Sequence, residues 1–131
     1  MPYIDKSKTN NWGTPKELYK ELDQEFHFDH DPCPHLYEQD GLKSNWGKSN
    51  FVNPPYDNIK AWAKKCRDEQ IKGNKSVLLI PPRTDTKYFH EYILPFTEIR
   101  FIKGRLKFTS LDDKSKKSSP SPFPSILCIY K

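Results

Sequence analysis

The sequence predicts an α/β fold built on a mainly parallel sheet flanked by helices. Two observations carry this. The middle of the chain alternates short apolar runs with stretches of helical periodicity, strand–helix–strand–helix–strand. That order implies parallel strands joined by right-handed crossovers. In addition, the apolar runs end in polar or proline-rich turns: Asp31-Pro32-Cys33, Asn53-Pro54-Pro55-Tyr56 and Pro82-Arg83-Thr84-Asp85. Ligands of parallel sheets bind beyond the carboxyl ends of the strands. Parallel strands would therefore gather all three turns along one edge.

Each element has its own signal. Residues 1–11 are polar and are expected to be flexible. Thr14-Pro15-Lys16-Glu17 reads as a helix start, with Thr14 as cap, Pro15 in the first turn and Glu17 closing a capping box. Leu18, Tyr19, Leu22 and Phe26 then recur at helical spacing. Phe26-His27-Phe28-Asp29 reads as a short strand running into Asp31. Residues 34–50 read as a long loop with room for one helical turn. Phe51-Val52 ends a strand, and Ile59, Trp62, Ala63 and Cys66 mark one face of a helix that stops near Gly73.

Ser76 to Ile80 is a buried parallel strand. Tyr88, Phe89, Tyr92 and Ile93 form a short helical face halted by Pro95. Glu98 to Phe108 reads as one strand bent at Gly104. Residues 109–122 read as a flexible basic loop, and Ser125 to Tyr130 as a final strand.

Composition narrows the function. At 131 residues the chain is expected to be a single domain, with little room for a separate recognition domain. Its net charge of +5 suits a polyanionic partner such as nucleic acid. Mean hydropathy is low, −0.90, and an aromatic content of 14% partly restores the capacity to form a core. Three widely spaced cysteines, Cys33, Cys66 and Cys128, indicate a reducing compartment rather than a disulfide framework. No apolar run reaches membrane-spanning length, and the start carries no signal-peptide pattern. The expectation is a cytoplasmic protein with no membrane partner.

The string Asn53-Pro54-Pro55-Tyr56 implies a reaction. The amide oxygen of an asparagine accepts one hydrogen of a planar amine. The Pro54 carbonyl accepts the other, and proline offers no competing donor. Tyr56 can stack on the ring that carries the amine. Two accepted hydrogen bonds return electron density to the nitrogen, which can then attack an electrophilic methyl group. The bland alternative is a surface turn or a polyproline ligand, since the chain has 12 prolines.

Asp31, and Asp29 beside it, are candidates for accepting hydrogen bonds from a cofactor's ribose hydroxyls or amine; the alternative is a turn aspartate capping its own backbone. His27, His30, Cys33 and His35 crowd together, but their spacing matches no common zinc pattern, so no metal is expected. There is no nucleophile elbow, no phosphate-binding P-loop and no Gly-x-Gly fingerprint. Arg83, Lys103 and Arg105 are candidates for DNA phosphate contact at the inferred edge, although Arg83 could instead pair with Asp85. Lys114, Lys116 and Lys117 are further candidates on the basic loop, where a solvated charge run is the plain reading.

In this order the segments resemble the phage-type DNA N-6-adenine methyltransferases, a short Dam-like family. The resemblance rests on Trp12-Gly13-Thr14-Pro15, Phe28-Asp29-His30-Asp31-Pro32-Cys33, Asp40-Gly41-Leu42 with Trp46, and Phe51-Val52-Asn53-Pro54-Pro55-Tyr56. It continues through Arg83-Thr84-Asp85-Thr86 and Gly104-Arg105-Leu106-Lys107-Phe108. It implies a reduced Rossmann-like methyltransferase fold with S-adenosylmethionine as methyl donor. It places Trp12, Thr14, Pro15, Asp31 and Asn53 at the cofactor and Asn53, Pro54, Pro55 and Tyr56 in the catalytic loop. The usual Gly-rich cofactor loop of the wider superfamily is missing.

The expected function is methyl transfer to the exocyclic amine of adenine in DNA, in the cytoplasm of a bacterial host if the gene is carried by a phage or prophage. Sequence specificity is then weak, or read by residues 34–50 and 109–122, or dependent on a second subunit in a homo-oligomer. Two alternatives stand beside this. One is methylation of another planar amine, in cytosine, an RNA base or a protein glutamine. The other is an inactive nucleic-acid-binding module, which need not bind the cofactor.

Overall fold

The computed structural model describes residues 12–32, 38–110, 119–120 and 123–131. The elements in chain order are β1 (Trp12–Gly13), α1 (Lys16–Phe26), α2 (Glu38–Lys43), β2 (Ser49–Val52), α3 (Ile59–Ile71), β3 (Lys75–Ile80), β4 (Thr97–Phe101), β5 (Lys107–Ser110), β6 (Ser119–Pro120) and β7 (Ile126–Tyr130). A 3-10 turn at Tyr56–Asn58 leads into α3. A π-helical turn at Phe89–Ile93 passes into a 3-10 turn at Leu94–Phe96 that contains Pro95.

The central sheet has four strands in the order β2-β3-β7-β4. β2 and β3 pair in parallel, while β7 lies antiparallel to both β3 and β4. The sheet is therefore mixed, not mainly parallel as the alternation suggested. The reason is connectivity: β4 runs the same way as β3 and ends at Phe101, and the chain re-enters at that same edge with Ile126, so its last strand runs back between them. The expected strand at Phe26–Asp29 is reduced to a single parallel bridge, His30 to Asn50, which lays this segment beside β2.

Two apolar layers sandwich the sheet, because successive strand residues face opposite sides. On one face Phe51, Val77, Leu79, Leu127 and Ile129 meet Leu22 of α1, with Leu18, Tyr19 and Phe26 packed against them. On the other, Val52, Leu78, Ile80, Ile126, Cys128 and Tyr130 meet Ile59, Trp62, Ala63 and Cys66 of α3 and Phe89 and Ile93 of the π turn. The helical spacings read in the sequence are the buried faces of α1 and α3. Cys66 and Cys128 are buried free thiols. Burial, then the nearby Cys128, pushes the Cys66 thiol well up, and burial pushes Cys128 up to about 12.

The run Glu98–Phe108 divides into two strands in different sheets. β4 ends at Phe101, Gly104 adopts a φ of 77°, and β5 then joins a small antiparallel sheet, β1-β5-β6. Only Gly tolerates that backbone cheaply. Thr109–Ser110 and Ser119–Pro120 of the expected loop are thus strand residues, paired to β1 and to Lys107–Phe108. Lys114, Lys116 and Lys117 lie outside the described residues, as do residues 1–11.

The turn after α3 is held by a buried carboxylate. Glu69 is 1% exposed and accepts hydrogen bonds from Asn74 Nδ2 at 2.8 Å and Lys72 Nζ at 3.1 Å, with Lys65 Nζ at 3.3 Å. Burial disfavours its charge, but the bonds from Asn74, Lys72 and Lys65 prevail and hold its pKa below the usual 4.5. A lowered folded pKa stabilises above the unfolded value and is lost as pH falls through the folded one. Glu69→Gln should therefore lower stability at neutral pH by about 1–3 kcal/mol. It should also flatten the loss of stability below pH 4.5, read by urea denaturation across a pH series.

Candidate active site

Strand direction gathers the candidate turns as the sequence implied. Val52 is level with Leu78, and Ile80 and Phe101 both pair with Ile126. The segment bridged to β2, then β2, β3 and β4, all leave the sheet at the same edge. Asp31, Asn53, Pro81–Arg83 and Phe101–Arg105 follow one another along it, and Phe123 arrives there just before β7.

Asn53 is half-buried at the end of β2. Its Nδ2 donates to Thr14 Oγ1 at 2.9 Å. This turns the amide oxygen away from Thr14. The expected capping box is not formed: Pro15 occupies the cap position of α1, and Thr14 makes no cap hydrogen bond. Its hydroxyl instead fastens the start of α1 to Asn53. Sequence alone cannot separate these uses, since either satisfies a threonine.

Pro54 and Pro55 are buried. The Pro55 carbonyl accepts from Asn58 N–H at 3.3 Å, closing the 3-10 turn, whereas none of the described hydrogen bonds ends on the Pro54 carbonyl. Tyr56 opens the turn, and burial raises its phenol above the ordinary value. Its ring meets Phe123 edge-on, with centroids 5.0 Å apart. The Arg83 guanidinium lies over the same Phe123 ring at 5.7 Å. Among the described residues no ion pair joins Arg83 to Asp85; Arg83 belongs instead to an aromatic cluster beside Asn53-Pro54-Pro55-Tyr56. Phe123 escaped the sequence reading because a lone aromatic in a Ser- and Pro-rich stretch carries no periodicity.

The two aspartates separate by what they touch. Asp29 accepts backbone N–H bonds from Lys48 at 3.3 Å and Ser49 at 3.2 Å. A Cβ on Gly47 would lie 2.2 Å from Asp29 Oδ1. Asp29 thus fastens the entry to β2. Asp31 is half-buried and lies near enough to Tyr19 of α1 for its charge to help raise that phenol, after burial and Asp23. Asp31 and Thr14 accordingly both adjoin α1. Trp12 of β1 is paired to Ser110. Lys103 and Arg105 are exposed on the turn after β4.

The sequence profile described as DNA N-6-adenine-methyltransferase (Dam) matches residues 3–131. The chain belongs to this family. It is 30% identical over 108 residues to a DNA N-6-adenine-methyltransferase of Escherichia phage T1, covering 72% of this chain and 45% of that relative. It is 25% identical over 141 aligned positions to a DNA N-6-adenine-methyltransferase of Haemophilus phage HP1, covering 96% of this chain and 81% of that relative. The chain thus spans about half the length of the first relative. No solved structure matches it.

The structure also accounts for the Gly41 and Trp46 positions of the family resemblance. Trp46 Nε1 donates to the Gly41 carbonyl at 2.7 Å, and the Trp46 ring stacks on Trp62. A Cβ at Gly41 would sit 1.8 Å from the carbonyl oxygen of Pro32, the neighbour of Asp31. α2 thus clamps the turn that carries the acid. Gly41→Ala must push Pro32 aside and should cost about 1–3 kcal/mol. The check is a lowered urea midpoint; an unchanged midpoint would show that the clamp is not needed.

Proposed function

We propose that the protein transfers a methyl group from S-adenosylmethionine to the exocyclic amine of adenine in DNA, in the cytoplasm of a bacterial host. The reading rests on family membership and on one observation above all: Asn53 of Asn53-Pro54-Pro55-Tyr56 is fastened to Thr14, on the α1 side where Asp31 also lies. The mixed four-stranded sheet and its flanking helices are compatible with a reduced Rossmann-like methyltransferase fold in a single domain.

The residues beside α1 suit the cofactor. Asp31, an acid at a strand end, matches the hydroxyl and amine donors of a nucleoside cofactor, with Trp12, Thr14, Pro15 and Asn53 around it. S-adenosylmethionine, when bound, supplies a methyl group made electrophilic by its sulfonium. The rest is the work of the chain. The oxygen of Asn53 and the carbonyl of Pro54 accept the two amine hydrogens and fix the amine's direction. The buried prolines stiffen the loop, so little conformational freedom is lost on binding. Tyr56 stacks on the adenine, and Phe123 bounds the ring of Tyr56 at its edge. The adenine must leave the duplex stack or be presented single-stranded. No general base is needed before attack, because the amine proton can leave afterwards. Positioning is the main source of rate.

Charge along the edge fits this division. Asp31 stands at one end, and Arg83, Lys103 and Arg105 follow toward the other, where the DNA backbone would lie. Lys114, Lys116 and Lys117 belong to the same proposal as phosphate contacts.

The deciding experiment incubates the protein with DNA and labelled S-adenosylmethionine and identifies the modified nucleoside. N6-methyladenine is expected. Methylated cytosine, methylated glutamine on an added protein, or no product would overturn the assignment in favour of another amine or an inactive module. Asn53→Ala should reduce kcat about 100- to 1000-fold with the fold intact. Tyr56→Ala should also be severe and Tyr56→Phe mild, because the ring rather than the hydroxyl is used. Separately, calorimetry with S-adenosylmethionine should give saturable binding that weakens in Asp31→Ala. Equal affinity in the two proteins would remove Asp31 from the cofactor site.

A further inference from the structure

The last residue of β4 presents an aromatic ring to solvent at the active edge. Phe101 is 83% exposed, although its ladder partner Ile126 is 2% exposed. The residues around it do not share this exposure by accident of a loose loop. Ile102 and Leu106 pack into the α1-side core and pin both ends of the turn. Gly104, at φ 77°, reverses the chain between them, and nothing lies within 4 Å of where its Cβ would be. Lys103 and Arg105 are exposed on this anchored reversal. A large ring left in water forgoes about 2 kcal/mol or more of burial. The fold holds it out beside two cations.

Register fixes where the ring stands. Ile80, Ile126 and Phe101 form one row across the sheet. By the pairing of Val52 with Leu78, Pro54 falls level with the same row. In the strand order β2-β3-β7-β4, three inter-strand steps separate the catalytic loop from Phe101. That is roughly 14 Å at the usual strand spacing. The ring is too far to touch the target base, and the turn that carries Arg83 leaves the sheet from β3, between the two.

We propose that Phe101 is a stacking platform for a base flanking the target adenine, with Lys103 and Arg105 holding the adjoining phosphates. This rests on the reading of the protein as a DNA methyltransferase. An aromatic face with neighbouring cations is the combination that binds unstacked bases without reading their identity. The same two cations disfavour the other occupant of an exposed phenylalanine, a second copy of a chain of net charge +5. Phe101 thus adds a base-stacking contact to phosphate contacts that position the strand without reading its sequence.

The test uses the full chain and short single-stranded oligonucleotides containing one adenine. Phe101→Ala should weaken binding roughly 5- to 100-fold and raise KM for DNA in proportion. kcat, S-adenosylmethionine affinity and the salt dependence of DNA binding should not change. Phe101→Trp should retain affinity. An abasic residue at one flanking position should weaken the wild type by the same factor and leave Phe101→Ala unaffected. Lys103→Ala with Arg105→Ala should instead flatten the salt dependence, by a log–log slope of roughly 0.7 per contact on single strands. If the wild type methylates adenine and Phe101→Ala binds and reacts equally well, the platform is overturned while the activity stands. If Phe101→Ala dissociates a dimer in sedimentation and DNA affinity falls only with dimer loss, Phe101 is a self-association contact and the platform is overturned. If the wild type binds no DNA, both the activity and the platform fall together.

Discussion

The antiparallel seat of β7 between β3 and β4 is the constraint on which the rest depends. Its five residues are all buried and pair on both sides, from Ile126 to Tyr130. They supply both apolar layers, Leu127 and Ile129 to the α1 side and Ile126, Cys128 and Tyr130 to the α3 side. The Tyr130 hydroxyl, donating to the Tyr92 carbonyl at 2.7 Å, ties the strand to the π turn as well. Because Ile126 is shared by Ile80 and Phe101, this strand sets the alignment of the turns at the edge that carries the candidate site. It also delivers Phe123 to Tyr56 and Arg83.

The candidate site side chains are held largely by contacts that have little to do with the proposed chemistry. Asp29 fastens the entry of β2, and α2 presses Gly41 against the Pro32 carbonyl. At the other end of α1, Arg100 of β4 makes a two-pronged pair with Glu25, with both distances 2.7 Å. α1 is thereby tied to the sheet near β4, while the residues before its opposite end touch Asn53 through Thr14. Exposed ion pairs of this kind contribute little stability by themselves. Their value here is to fix the direction of a helix whose first residues meet Asn53.

Much of this was legible in the sequence, and the losses have a common cause. The faces of α1 and α3, the buried run of β3 and the bend at Gly104 follow from local periodicity and backbone preference. The convergence of Asp31, Asn53 and Arg83 followed from strand direction alone. The order of strands did not, because pairing between residues as far apart as Ile80 and Ile126 leaves no local trace. Glu98–Phe108 looked like one strand since nothing in its apolar pattern marks a change of sheet. Asp31 was preferred to Asp29 through the family resemblance, for a spacing of two puts both on one side of an extended segment. Only the backbone amides of Lys48 and Ser49 tell them apart.

The buried thiols turn this architecture into its own reporter. Cys66 lies on α3 and Cys128 at the centre of β7, both without solvent contact and both with pKa values raised by burial. Alkylating reagents attack the thiolate, so neither sulfur can react while the sheet is closed. Modification of the pair would have to wait for β7 to leave its place between β3 and β4. The rate at which these two sulfurs are labelled would then time the opening of the sheet, and a ligand that clamps the candidate site would slow that clock.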